Sequence, residues 1–239
     1  MLFDVGGVVG EISEYSPDYV LPNPELRADF VNNPVVMYGK SRRLKVTDGE
    51  SLGDIFDPYF NRQWDHFCSH QHAPNQPEAS GYSCGVRKDN ILYLAHPIFT
   101  IYRSYGQVAL RQYFEKALAH LLAEDRSVVV LGLPSTGRVS LMQQTSENRY
   151  VLHLLYANTI NRGGAADLHG GNASGMQQSY EVIEDLLPLH GLPVELKLDA
   201  KVASVRLEPT GEAIEFDQND ECLNFRVPQL LCHQMVVLE

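Results

Sequence analysis

Between Asn61 and Pro74 the sequence reads NRQWDHFCSHQHAP, which gathers the only tryptophan, three of the nine histidines and one of the four cysteines. His66, Cys68, His70 and His72 alternate, so in an extended chain all four side chains project to one side, as a His/Cys metal site would require. The spacing argues against one. Every second side chain of a strand is about 6.6–6.8 Å from the next, too wide for four bonds to a single ion. Two other chemistries stay open. Trp64 offers a flat apolar face to the C–H side of a pyranose, and the neutral imidazoles of His66, His70 and His72 can exchange hydrogen bonds with sugar hydroxyls. Alternatively the stretch is an ordered loop whose polar groups satisfy one another. Trp64, His66, His70 and His72 are therefore the candidate carbohydrate contacts; no catalytic residue, metal ligand or cofactor is assigned.

Other constellations carry less. His96 follows the apolar run ILYLA, at the end of a strand where open α/β sheets bind ligands, but Pro97 beside it suits a turn into the next helix. Phe99, Tyr102, Tyr105 and Tyr113 read as core or subunit-interface packing. GGVVG at Gly6–Gly10 lacks the G-x-G-x-x-G spacing of a dinucleotide loop, and LPSTG lies inside the chain rather than before a hydrophobic tail.

These residues must be held by some fold, and the composition bounds it. The chain has 239 residues, 44% of them hydrophobic, with a formal net charge of -11. That length suffices for one large or two modest domains. An acidic chain without a basic aromatic stripe does not suit a phosphate backbone, so nucleic acid is not expected as a partner. No apolar run reaches the roughly 20 residues of a membrane span, and the N-terminus has no signal-peptide pattern. A cytoplasmic protein that neither binds nor crosses a membrane is expected. Four cysteines without a C-x-x-C pair are expected as free thiols.

Along the chain, the first sixty residues carry closely spaced prolines in SPDYVLPNPELRADFVNNPVV and read as an extended, winding segment. Apolar runs stand at Val35–Tyr38 and Leu44–Val46, with a possible short helix over Ser51–Phe56. NILYLAHPIF reads as a buried strand. IYRSYGQVALRQYFEKALAHLLAED then reads as one long helix, with Leu110, Phe114, Ala117 and Leu121 on its apolar face. With RSVVVLGLP as a further strand, this is α/β grammar, ending near Pro134. Beyond it come short alternating runs separated by turn residues such as Glu147-Asn148 and Asn219-Asp220, the pattern of a small antiparallel β-sandwich. The glycine-rich insert NTINRGGAADLHGGNASGMQQ reads as a mobile surface loop.

The tail VASVRLEPTGEAIEFDQNDECLNFRVPQLLCHQMVVLE resembles the C-terminal β-domain of trimeric (family 42-like) β-galactosidases and the α-L-fucosidases related to them. The resemblance extends through PYFNRQWDHFCSHQHAP, ILYLAHPIF, LPSTGRVSL and NRYVLHLLYA. It implies a partial α/β layer of the flavodoxin or glutamine-amidotransferase type over 1–134, making oligomer contacts, and a β-sandwich over 135–239. It also implies self-association, as a trimer, and places the catalytic carboxyl pair in a barrel outside this chain, so that Met1 is an internal methionine of a longer gene product or a point of truncation. The implied function is the non-catalytic C-terminal portion of a glycosidase, inactive alone, that mediates oligomerisation and shapes the active-site edge. A free-standing carbohydrate-binding or interaction protein is the alternative.

Overall fold

The computed structural model describes residues 3–122, 127–163 and 179–239. The chain divides into two units, Met1–Glu124 and Asp125–Glu239, each with its own apolar core.

In the first unit come β1 (Gly7–Ile12), β2 (Asp18–Pro22), β3 (Val35–Met37), β4 (Arg42–Val46), β5 (Glu50–Ser51), β6 (Gly53–Phe56), β7 (Gly85–Lys88) and β8 (Ile91–Leu94). They form three small antiparallel sheets: β1–β4, β3–β2–β6 and β5–β7–β8. Val20, Met37, Leu44, Ile55 and Val86 point inward from these strands. At Gly53 the backbone has φ +134°, and a Cβ there would collide with the Leu21 carbonyl, so only glycine lets β6 begin against β2. The α-helices among the described residues are α1 (Ile98–Tyr105) and α2 (Val108–Leu122). The single long helix expected here is broken because Gly106 takes a left-handed conformation and its N–H caps the Tyr102 carbonyl at 2.8 Å. From α2, Leu110, Tyr113 and Ala117 enter the core, spaced three and four apart.

The expected α/β layer over 1–134 is overturned. All strand pairs among the described residues of this unit are antiparallel. β8, read as the strand feeding an α/β helix, is hairpinned to β7 across Asp89-Asn90, with Asp89 at φ 47°. Connections this short cannot make the crossovers of a dozen or more residues that parallel strands need. Ser51–Phe56, read as a short helix, is extended, and the apolar runs at Val35 and Leu44 lie on β3 and β4.

The second unit begins with β9 (Val128–Val130), the strand expected to close the α/β layer. It pairs instead with β14, the sixth strand of this unit. The rest are β10 (Arg138–Gln144), β11 (Arg149–Leu155), β12 (Thr159–Gly163), β13 (Ser179–Ile183), β14 (Leu189–Lys197), β15 (Val205–Glu208), β16 (Glu212–Ala213), β17 (Phe216–Asn219), β18 (Cys222–Leu230) and β19 (His233–Leu238). Two antiparallel sheets, β10–β11–β19–β15–β16 and β17–β18–β14–β9, share one core. Alternate residues supply it, among them Leu152 and Leu154, Val236 and Leu238, Val194 and Leu196, Leu223 and Phe225. Asn148 and Asp220, in the two expected turns, both adopt φ 52°. The glycine-rich insert starts as β12, which pairs with β13 in a separate ribbon; residues 164–178 of it lie outside the described residues.

Candidate functional site

The stretch Asn61–Pro74 is a loop whose two ends are stitched together. Pro58 and Asn75 form an antiparallel bridge, the Tyr59 N–H donates to the Pro74 carbonyl at 3.1 Å, and the Gln76 N–H donates to the Asp57 carbonyl at 2.8 Å. Arg43 of β4 holds this base through a 2.8 Å ion pair with Asp57 while its guanidinium lies 4.8 Å from the Tyr82 ring centre. Asn61 is tied by its side chain to Ser16 N–H and the Glu14 carbonyl, both at 3.0 Å. On the return path the Tyr19 hydroxyl donates to the buried Ala73 carbonyl at 2.6 Å. Burial raises the Tyr19 phenol above its ordinary value, which keeps that donor in place.

The four sequence candidates do not converge. Trp64 is 90% exposed and lines an open depression of about 480 Å³ with Arg62, Gln63 and Phe67. His66 stacks on Phe60 at 4.0 Å between ring centres. His72 turns inward, edge-on to Tyr19 and Tyr38, and its buried Nδ1 has no hydrogen-bond partner among the described residues. His70 is exposed, and its carbonyl, like that of His72, accepts from the Cys68 thiol, at 3.6 and 3.4 Å. Among the described residues, no three His, Cys, Asp or Glu side chains are grouped to hold a metal ion. The depression can take the apolar face of a ligand on Trp64 and Phe67. Covering about 100 Å² of such surface contributes about 2–3 kcal/mol. Arg62 is already engaged with the Gln71 carbonyl at 2.9 Å. Sequence reasoning does not reach Arg62, Gln63 and Phe67, because only their position beside Trp64 marks them.

His96 has a different place. It is 4% exposed, and its Nε2–H donates to Asp18 Oδ1 at 2.6 Å, while the Ser41 hydroxyl donates to Asp18 Oδ2 at 2.6 Å. Asp18 is fully buried. This chain of contacts runs Ser to Asp to His, so the serine is bonded to a carboxylate and not to the imidazole, and, with all three groups buried, it is not presented as an activated nucleophile. The His96 carbonyl accepts from Ile98 N–H, which starts α1. Of the aromatic set, Tyr113 is buried and bonded to Cys84, whereas Phe99, Tyr102 and Tyr105 are exposed.

No family model matches the chain, and no curated protein matches it. Among solved structures, α-L-fucosidase isoenzyme 2 from Paenibacillus thiaminolyticus aligns over 100% of this chain and 34% of its own, with 37% sequence identity and a TM-score of 0.88. The chain is similar to part of an α-L-fucosidase. It spans about a third of the fucosidase, and both units described above fall within the match. No helix among the described residues is long and apolar enough to cross a membrane.

Proposed function

We propose that this chain is the non-catalytic portion of an α-L-fucosidase-like glycosidase, serving self-association and the edge of a sugar-binding site. The observation that carries this is the 37% identity held over the whole chain against one third of a fucosidase. In this reading the Trp64 loop protrudes from the first unit and meets saccharide at the mouth of a catalytic domain, most directly that of a neighbouring subunit. Its stitched base and exposed aromatic tip support that role: the scaffold is fixed, and the ligand-facing side chains are left in water. The exposed Phe99, Tyr102 and Tyr105 on α1 offer apolar surface for a contact between copies.

Glycoside hydrolysis needs two carboxyl groups across the scissile bond. Assayed alone on nitrophenyl α-L-fucoside and β-galactoside, the chain should show no turnover. Glu215 and Asp217, which line an open hollow in the second unit, are the controls. Activity that disappears in Glu215→Gln or Asp217→Asn would overturn the reading. Light scattering across a concentration series should give a trimer mass; a monomer at every concentration would remove the self-association part.

A further inference from the structure

We propose that His153 and His233 form a two-histidine chelate for a divalent transition-metal ion on the outer face of the five-stranded sheet. The strands β11 and β19 are neighbours, with His153 opposite Met235 and Leu155 opposite His233, so the two imidazoles stand on a diagonal. Leu152, Leu154, Val236 and Leu238 enter the core, so strand alternation sends His153 and His233 outward.

His153 Nδ1 and His233 Nε2 are 3.1 Å apart, with ring planes within 2° and ring centres 5.4 Å apart. The rings thus meet edge to edge, with one N–H donated between them. Two metal–imidazole bonds of about 2.0–2.1 Å separate their nitrogens by about 2.9 Å at square corners and about 3.4 Å at tetrahedral ones. The observed separation lies between these values. Exchanging the shared proton for an ion therefore needs the rings to rotate toward a common point, while the strands stay where they are. The displaced N–H is regained by tautomerisation to the far ring nitrogen, so binding to the neutral pair releases no net proton.

One neighbour favours a metal ion here and another does not oppose it. Met235, directly across from His153, places a soft thioether on the same face. Arg206, also on this face, already has its charge taken by Glu208 at 2.8 Å and Glu239 at 2.7 Å. Imidazole donors and the divalent affinity order point to Cu²⁺ as the tightest ion, with Ni²⁺ and Zn²⁺ weaker and water completing the coordination. A bound ion would tie strands whose histidines lie 80 positions apart and so stabilise the second unit.

The experiment is calorimetric titration of the EDTA-stripped full chain with Cu²⁺, alongside electron paramagnetic resonance. One ion per chain and coupling to two nitrogens are expected. Removing even an outer-shell partner of a metal costs on the order of 10–100-fold in affinity, so His153→Gln or His233→Gln should each weaken binding at least about tenfold. A variant with His66, His70 and His72 all replaced by alanine should retain it. Circular dichroism without metal checks that both glutamine variants fold. Unchanged affinity in both of them, loss only in the loop variant, or no saturable binding by the natural chain would each overturn the proposal.

Discussion

His96 and Trp64 lie in the same unit and come from neighbouring parts of the sequence, yet their surroundings are opposite. The Ser41–Asp18–His96 chain is sealed from water, with its carboxylate accepting from two side chains. The Trp64 loop keeps its tip in water and spends its hydrogen bonds on its base and on Glu14, Ser16 and Tyr19. One strand serves both: on β2, Asp18 turns into the buried network and Tyr19 reaches the loop through Ala73. The contrast teaches that polar side chains in a protein of this kind are either structural or available for a ligand according to burial, not residue type.

Breaking the buried side should have the largest effect. Asp18→Ala leaves the Ser41 and His96 donors without an acceptor and should destabilise by about 3–5 kcal/mol in urea unfolding. A loss under about 1 kcal/mol would erase the contrast. Cysteines sharpen it next. Burial pushes the Cys84 thiol up to about 12 from 9.0, so the folded state favours the neutral thiol. That contribution is fully present below pH 9.0 and is lost as pH rises from there toward about 12. Native thiol labelling at pH 8 should accordingly modify the half-buried Cys68 and spare Cys84 until the chain unfolds. Labelling of Cys84 at the rate of Cys68 would contradict this.

The link between the two regions should register more weakly. Tyr19→Phe removes one hydrogen bond to the loop and should cost about 0.5–1.5 kcal/mol, with faster amide exchange at the loop's return path. Unaltered exchange would show that the loop holds itself. Smallest in stability is Trp64→Ala, expected within about 0.5 kcal/mol of the natural chain because its side chain contributes little to the core. If the chain works within a fucosidase-like enzyme, as proposed, the same change there should lower kcat/KM several-fold, the scale of about 1 kcal/mol. Normal kinetics in Trp64→Ala, His70→Ala and His72→Ala would leave the loop a structural feature.

The second unit was the more legible half. Its alternating runs fall on strands, and Asn148 and Asp220 sit at left-handed turn positions, because period-two burial and turn chemistry are local properties. The first unit was not. ILYLA followed by helical spacing is equally compatible with a parallel α/β layer and with an antiparallel hairpin leading into helices, and only the pairing of β7 with β8 decides between them. The candidate site was legible as a loop rich in Trp and His. That His72 turns inward while Trp64 stays out was not, since Tyr19 and Tyr38, which receive His72, come from distant segments.

By itself, then, the sequence determined the acidic, apolar-cored character of the chain, the strand positions of its second half other than β12, which lies in the insert read as a loop, and the chemistry that its exposed loop can offer. All of these follow from residue type and short-range spacing. Tertiary structure alone decided the strand partners, the burial of Asp18 with His96 and Ser41, and the meeting of His153 with His233. Those contacts join residues 78, 23 and 80 positions apart, and at such separations no local propensity specifies which groups meet.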